Sequence, residues 1–294
     1  MVYPINKKLI SSIFYKACLI RDVEQTISNL YSQQMMRCPT HLSIGQETVA
    51  AVLGSMVEKK DSFISTHRCH AHYLAKGGSL KKMIAELYGK QEGCSLGKGG
   101  SMHLIDLSVN FMGSSAIVGN SIPIGVGLSH SIKRSKDISI IFFGDGATEE
   151  GAFYESLNIA STFSSNSLFV CEDNLYSVYS PKNVRQPSKR NLKKICDGLD
   201  IQYFKSSDRN IKHLLNSSND AINYVKKENK PALIEVDTYR FLEHCGPNND
   251  DHLNYRSIQE IEYYKKKDSL VILKNYSKNI LNEEEIRKIN IKIQ

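Results

Sequence analysis

The sequence predicts an α/β protein with a doubly wound, mostly parallel β-sheet, helices on both faces of the sheet, and a helical C-terminal arm. Three short apolar runs, at 140–143, 167–172 and 232–236, have the length and composition of buried strands. Between the first two runs, 149–163 has the spacing of apolar residues that is typical of a helix. Strands that alternate with helices of this length favour a parallel sheet.

A single domain is the expected organisation of the chain. Its 294 residues suffice for one large α/β domain, and neither an internal repeat nor a low-complexity linker divides them. We expect one domain over 1–294. Its core should run from about residue 10 to about residue 260, and a polar, lysine-rich helical arm should follow from about residue 255 to 294.

Helices predominate before the first apolar run. The segment 7–36 is expected to be helical because apolar residues recur at helical spacing, at Leu9, Ile13, Ala17, Ile20, Val23 and Ile27. Further helices are expected at 45–57, 80–88 and 122–132. The last of these contains Gly125 and Gly127, which suit close packing on a sheet. In the second half we expect a loop at 179–190, because of its two prolines, and a helix at 221–226.

Composition limits the class of protein. The formal net charge is +7, with much of the excess in the lysine-rich tail, and no nucleic-acid-binding motif accompanies it. The tail is therefore a solvated surface or a contact for an acidic partner. The seven cysteines are scattered without a C-x-x-C pair, which argues against a disulfide framework and a structural zinc site. With no signal-peptide pattern and no membrane-spanning apolar stretch, we expect a cytoplasmic protein.

Two polar strand ends are the most informative feature of the sequence. Asp145 follows the apolar run at 140–143, and Asn174 follows the run at 167–172. A strand, a helix and a second strand would bring both side chains to one edge of a parallel sheet, where ligands bind in folds of this class. Oxygen ligands of this kind suit Mg²⁺, and the glycines of Gly144–Ala147 would let a diphosphate approach the backbone. Gly-Asp-Gly alone would also fit a plain turn, but the second polar strand end favours a site.

The motifs around this pair resemble those of a known family. Gly-Asp-Gly followed after 25–30 residues by Asn is the thiamine-diphosphate fingerprint, and the surrounding residues are similar to the alpha subunits of 2-oxo acid dehydrogenases that act on pyruvate, branched-chain 2-oxo acids or acetoin. The resemblance extends from about residue 10 to about residue 260. Five linked motifs support it, at His41–Glu47, Thr66–His70, Gly97–His103, Ile117–Pro123 and Gly144–Tyr176.

The resemblance implies roles for individual residues. Asp145, Asn174 and the Tyr176 carbonyl would bind Mg²⁺. The side chains of His67, Arg68 and His244 and the backbone of Gly146 and Ala147 would face the diphosphate. Backbone groups of Ala116 and Val118 would hold the aminopyrimidine. His41 matches a histidine near the reacting centre, and with His244 it is a candidate catalytic residue.

Three departures from the family pattern lie at the cofactor end. His67 stands where the family often has tyrosine, and its imidazole can still bond to phosphate. Asp173 stands where a first asparagine is frequent, so it adds a negative charge beside the expected metal ligand. Ala116 replaces a frequent glycine, which matters little for a carbonyl contact.

The largest departure lies at the substrate end. Thr238–Pro247 replaces a histidine-glycine-histidine-serine loop and keeps one histidine, His244. In the family this loop borders the substrate and the acyl acceptor. The sequence therefore leaves the 2-oxo acid substrate and the acceptor open.

Other candidate groups are explained more simply. The cluster of His67, His70 and His72 has an arginine inside it, which argues against zinc. Lys98 lacks the P-loop pattern, so a structural or gating loop over the cofactor is expected. Cys245 beside His244 is expected to be a packing residue rather than a nucleophile.

The resemblance also implies a partner. In the family the carboxylate that faces the aminopyrimidine comes from another domain or from a separate beta chain. We expect a beta subunit in an α2β2 assembly, and an acidic lipoyl domain as a further partner for the basic tail. Two alternatives remain: a transketolase-like or biosynthetic transferase with a different acceptor, and a non-catalytic subunit that only binds a partner.

Overall fold

A computed structural model describes residues 5–36 and 38–293, with Arg134 described for its backbone alone. The first four residues, Arg37 and Gln294 of the predicted domain lie outside the described residues. A six-stranded sheet forms the centre of the fold, and every strand in it is parallel to its neighbours. The predicted α/β class and parallel sheet are confirmed.

The strands are β1 (Ser62–Ser65), β2 (Phe111–Ser114), β3 (Ser139–Gly144), β4 (Ser167–Asp173), β5 (Tyr176–Ser177), β6 (Ser180–Pro181), β7 (Gln202–Ser207) and β8 (Ala232–Asp237). The central sheet has the order β2-β1-β3-β4-β8-β7, and β5 and β6 form a small antiparallel hairpin. The helices are α1 (Lys7–Tyr31), α2 (Glu47–Met56), α3 (His70–Lys76), α4 (Leu80–Leu87), α5 (Ser121–Ser131), α6 (Gly151–Thr162), α7 (Lys182–Arg185), α8 (Leu192–Gly198), α9 (Ile211–Glu228), α10 (Ile258–Lys266), α11 (Ser269–Lys278) and α12 (Glu283–Ile293).

The sheet is buried on both faces. Along β3, Ile140 and Phe142 belong to the larger apolar core with α1 and α2, whereas Ile141 and Phe143 belong to a second core with α5 and α6. This alternation follows from the two-residue period of a strand. Helix α5 approaches the sheet closely at Gly125, where a Cβ would lie 2.4 Å from a carbon of Ile141, so the predicted role of Gly125 is confirmed. The same prediction for Gly127 is wrong, because a Cβ there would meet nothing within 4 Å.

The structure corrects several predicted boundaries. Helix α1 ends at Tyr31 rather than at residue 36, because Gln34 has a φ of 56°, which a right-handed helix cannot contain. The predicted loop at 179–190 contains part of the β5–β6 hairpin and the one-turn helix α7. Helix α9 is far longer than the expected 221–226. Strands β1, β2 and β7 were missed because they are short or polar, and β2 and β7 are edge strands.

The predicted C-terminal arm is helical and packs against the N-terminal helix. Helices α10, α11 and α12 follow one another, and Leu273, Leu281 and Ile289 are buried in the larger core with α1. The Arg21 guanidinium ties α1 to both α2 and the arm, because it donates to Glu47 and, at 2.9–3.0 Å, to Asp268. The arm is thus part of the fold.

Candidate functional site

The carboxyl ends of the central strands surround one pocket. Its lining comes from the segments that follow β1, β2, β3, β4 and β8, together with one residue before α2: Gln46, Thr66, His67, Arg68, Val118, Gly119, Gly144, Asp145, Gly146, Ala147, Glu172, Asn174, Tyr176, Ser177, Val178 and His244. Strands β3 and β4 are direct neighbours, with Gly144 paired to Glu172. Asp145 and Asn174 therefore lie at the same edge of the sheet, as the sequence predicted. Ligands bind at this edge in open α/β sheets.

Asp145 is a buried carboxylate with a cationic partner. It is 3% exposed and begins a short 3₁₀ helix that runs to Glu149. Arg185 donates from Nη2 to Asp145 Oδ2 at 2.5 Å and also bonds to Glu149. Burial raises the pKa of Asp145, the Asp173 carboxylate raises it further, and Arg185 opposes both effects. The Arg185 guanidinium therefore stabilises the charged form of this buried carboxylate.

Asn174 presents a carboxamide to the same pocket. Its Nδ2 donates to Gln46 Oε1 at 3.0 Å, which orients the amide, and its Oδ1 accepts from the Tyr176 N–H at 3.2 Å. Tyr176 pairs with Pro181 in the hairpin, and a proline has no N–H to donate to the Tyr176 carbonyl. Asn174 and Tyr176, two of the three predicted metal ligands, thus lie two residues apart just after β4. Both line the pocket together with Asp145.

The additional carboxylate of Asp173 is neutralised by a lysine. Lys182, in the one-turn helix α7, lies 2.5 Å from Asp173 Oδ2. Burial alone would raise the pKa of Asp173, but the Lys182 ammonium outweighs it and the pKa is lowered. The departure from asparagine is therefore matched by a cation within the chain, and the pocket gains no uncompensated charge.

We expect Lys182→Met to lower the free energy of unfolding at pH 7 by about 2 kcal/mol, because it leaves the Asp173 carboxylate buried without its cation. The double variant Asp173→Asn/Lys182→Met should recover most of this loss, because it removes the charge as well as its partner. Urea unfolding of both variants and of Asp173→Asn checks this. Additive losses in the double variant would contradict the pairing.

Other residues of the pocket lining suit an anion. Arg68 is 6% exposed, and its guanidinium donates to the carbonyls of Leu42 and, at 3.1 Å, of His244. Burial and then the charge of Arg240 lower the pKa of Arg68 to about 9, so it remains a cation at neutral pH. Gly146 and Ala147 lie in the first turn of the 3₁₀ helix, where backbone N–H groups are unpaired. A Cβ on Gly146 would lie 2.8 Å from Ser177 Oγ, so a larger residue there would force Ser177 to shift.

Three imidazoles meet beside these residues. The ring centre of His41 lies 4.5 Å from that of His67 and 5.1 Å from that of His244, and the last two are 5.3 Å apart. His41 is buried beside the pocket lining, and its Nδ1 has no hydrogen-bond partner. Burial and then the Arg68 charge lower the pKa of His41 and His244 to about 3 and of His67 to about 2. All three rings are neutral at neutral pH.

The burial of a neutral His67 predicts a pH dependence. Its pKa falls from 6.5 to about 2 on folding, so below pH 6.5 the unfolded chain takes up a proton that the folded chain does not. Above pH 6.5 the ring is neutral in both states, so proton uptake does not lower the free energy of unfolding. As the pH falls below 6.5, proton uptake by the unfolded chain lowers the free energy of unfolding by about 1.4 kcal/mol per pH unit. Between pH 5.5 and pH 4.5, urea unfolding of His67→Gln should therefore show a slope smaller by about that amount.

A matched control for this comparison is His252→Gln, at an exposed histidine outside the site. The slopes of wild type and His67→Gln would be equal if the His67 imidazole were solvated in the folded chain.

Of the two residues predicted to contact the aminopyrimidine, Val118 lines the pocket and Ala116 does not. Val118 lines the pocket and is 50% exposed, and its neighbour Ile117 is 66% exposed. Ala116 is half-buried and lies two residues earlier, outside the lining. Its role stays a prediction.

Sequence reasoning missed four residues of the site. Gln46 lies within a motif that the sequence had singled out, so its place beside Asn174 could have been inferred. Glu172, which bonds to His72, precedes the predicted ligand by two residues. Lys182 and Arg185 lie in the segment predicted as loop, and no spacing signal connects them with Asp173 or Asp145.

Other singled-out groups have structural roles. His70 lies 2.9 Å from Ser101 Oγ, and His72 lies 2.7 Å from Ser65 Oγ, so neither joins His67 in a metal cluster. The Gly97–His103 segment is anchored by the buried Glu86 carboxylate, which accepts from backbone N–H groups at residues 95, 97 and 99. Lys98 does not line the pocket.

The chain matches the family described as the dehydrogenase E1 component over residues 15–294. It is 35% identical over 291 residues to a protein of Rickettsia felis named pyruvate dehydrogenase E1 component subunit alpha, with 98% of this chain and 87% of that protein covered. It is 32% identical over 288 residues to the alpha subunit of acetoin:2,6-dichlorophenolindophenol oxidoreductase of Bacillus subtilis, with 95% and 82% covered.

Solved structures share the fold. The crystal structure of a transketolase from Campylobacter jejuni superposes with a TM-score of 0.61 at 14% identity, over 97% of this chain and 49% of that chain. This chain therefore spans about half the length of that transketolase. The likeness concerns the fold and confirms the doubly wound architecture around the pocket.

Proposed function

This chain belongs to the dehydrogenase E1 component family as the alpha subunit of a thiamine-diphosphate-dependent 2-oxo acid dehydrogenase, and we propose that Asp145, Asn174 and Tyr176 hold the magnesium ion of its cofactor. The observation that supports this most strongly is the meeting of Asp145 and Asn174 with Arg68 and His244 around one pocket. Oxygen donors among the lining residues suit a hard cation, and cationic and N–H donors suit a diphosphate.

The donor set fits magnesium in particular. A carboxylate, a carboxamide oxygen and a backbone carbonyl are hard oxygen ligands, and Mg²⁺ commonly takes few protein ligands beside phosphate oxygens and water. The unusual Asp173 does not disturb this set, because Lys182 neutralises it. Arg185 occupies one carboxylate oxygen of Asp145 and leaves the other without a side-chain donor among the described residues.

Because the histidines are neutral, they would bind the diphosphate by hydrogen bonds rather than by charge. At neutral pH the rings of His67 and His244 act as hydrogen-bond donors through one N–H each, and Arg68 supplies the positive charge for the diphosphate. His41 Nδ1 has no hydrogen-bond partner among the described residues, so this nitrogen is free to form a hydrogen bond with the substrate. When bound, thiamine diphosphate supplies the electron-accepting ring that decarboxylation of a 2-oxo acid requires.

The substrate that we propose first is pyruvate. The relative from Rickettsia felis carries pyruvate in its name, and the relative from Bacillus subtilis carries acetoin. Both names concern small compounds of three or four carbons. His244, in the altered loop Thr238–Pro247, lines the pocket. We propose a small substrate at this pocket and an acyl acceptor that reaches the loop.

An alpha subunit of this family acts with a beta subunit, and we propose that the assembly is α2β2. The exposed side chains of Ile117 and Val118 beside the pocket support a partner that covers this rim. We also propose that the lysine-rich arm contacts an acidic lipoyl domain, and that the protein is cytoplasmic, which its seven free cysteines support. No helix among residues 5–36 and 38–293 is long and apolar enough to cross a membrane.

A substrate screen tests the proposal. The chain should be co-expressed with a beta-type chain, and the complex supplied with Mg²⁺, thiamine diphosphate and an artificial electron acceptor. We expect reduction of the acceptor with pyruvate, and a weaker response with larger 2-oxo acids. Turnover of sugar phosphates instead would point to a transferase, and absence of cofactor binding in the complex would point to a non-catalytic subunit.

A further inference from the structure

We propose that His41, His67 and His244 form a binding site for a divalent transition metal such as Zn²⁺, distinct from the magnesium site and occupied when the diphosphate is absent. One ring nitrogen of each histidine lies within 4.8 Å of a ring nitrogen of the other two. Neutral imidazole is a preferred ligand of Zn²⁺, and three histidines with one open position are a known ligand set for this ion.

The ring positions fit a shared ion. Three imidazoles bound at about 2.0–2.1 Å to one tetrahedral metal have ring centres about 5 Å apart. The observed separations of 4.5, 5.1 and 5.3 Å agree with this arrangement. The ring nitrogens, all within 4.8 Å of one another, need at most small side-chain rotations to reach the spacing that a metal requires.

The three side chains are held in place by the backbone. Residue 41 forms an isolated parallel bridge to Gly246, and the Gly246 N–H donates to the Thr40 carbonyl at 2.8 Å. His67 follows β1 directly, and Arg68 bonds to the His244 carbonyl at 3.1 Å. The cluster is therefore assembled by the fold before any ligand arrives, which lowers the cost of binding.

The cluster also has free ligand atoms. His41 is 7% exposed, and its Nδ1 makes no hydrogen bond, which is unusual for a buried polar atom. The low pKa of each ring leaves one nitrogen of each ring unprotonated at neutral pH, so a metal does not compete with a proton for that nitrogen.

The positive charges near the cluster favour an anion as the fourth ligand of the metal. The guanidinium groups of Arg68 and Arg240 face the cluster and oppose a bare dication. A fourth ligand that is an anion, such as hydroxide or inorganic phosphate, offsets this repulsion and would lie toward Arg68. His67 and His244 also face the proposed diphosphate position, so the metal and the cofactor compete for the subunit. This competition rests on the proposed function, whereas the metal site itself does not.

Titration of the full chain with Co²⁺ and Zn²⁺, in the absence of thiamine diphosphate, tests the site. We expect one ion per chain, with the visible absorption of tetrahedral Co²⁺ and without a thiolate-to-cobalt band. His67→Tyr should weaken the binding by about 100-fold or more, because it removes one of three ligands.

Two variants serve as controls. His130→Gln changes an exposed histidine on α5, and Cys245→Ser removes the exposed thiol beside His244, and neither should alter the stoichiometry or the spectrum. Unchanged Co²⁺ binding in His67→Tyr, or loss of the spectrum in Cys245→Ser, would overturn the three-histidine site. Loss of thiamine diphosphate binding in wild type would contradict the proposed function and leave the metal titration as an independent result.

Discussion

Asp145→Ala should abolish magnesium-dependent binding of thiamine diphosphate. The substitution removes the single carboxylate among the three proposed ligands, and it leaves the charge of the diphosphate without its counter-ion. Loss of a buried charge partner costs roughly 3–5 kcal/mol, so the affinity should fall by at least about 100-fold. Calorimetric titration with thiamine diphosphate at fixed Mg²⁺, with the beta chain present, measures it.

The fold should survive this substitution. Asp145 is buried and its pKa is raised by burial, so its removal also removes a desolvation cost, and Arg185 retains Glu149 as a partner. Glu149→Gln is the matched control, because Glu149 shares the contact with Arg185 but is not a proposed metal ligand. An affinity for thiamine diphosphate in Asp145→Ala equal to that in the control would contradict the assignment.

The purified chain without a beta partner should show no turnover of 2-oxo acids, even with saturating cofactor and Mg²⁺. Of the described residues that line the pocket, Asp145 and Glu172 have carboxylates, and both are engaged, by Arg185 and by His72. On the proposed site assignment, neither is available to activate the aminopyrimidine. We therefore expect the beta subunit to supply a carboxylate for that purpose.

Reconstitution measures this requirement. Adding the beta chain to the purified subunit should raise the rate of pyruvate-dependent acceptor reduction by at least about 1,000-fold, because general acid–base groups and positioning each contribute factors of this order. A complex made with a beta chain whose partner carboxylate is replaced by the amide is the control and should stay inactive. Full turnover by the isolated alpha chain would contradict the half-site.

The core of the fold was predictable because its signals are local. Strands β3, β4 and β8 are continuous apolar runs, since both faces of the sheet are covered, and the helix between β3 and β4 has clear spacing. Strand β1 has two apolar residues, and β7 is an edge strand with polar positions, so their pairing is specified by neighbours distant in sequence.

In the site, too, the residues that a local signal specifies were predictable. Asp145 and Asn174 are strand ends of adjacent strands, a relation that one strand-helix-strand unit fixes. The pairing of Asp145 with Arg185 and of Asp173 with Lys182 depends on how the β5–β6 hairpin and α7 fold back over the pocket. The three-histidine cluster joins residues 41, 67 and 244, whose spacing gives no local signal; the family resemblance had assigned them to one site but did not predict that their rings would meet.

Arg185 gives the cofactor-free subunit its own substitute for a metal ion. Its guanidinium lies on Asp145 and Glu149 and is 10% exposed, so one cation already faces these two carboxylates. On the proposed metal assignment, cofactor binding is an exchange of one cation for another at Asp145.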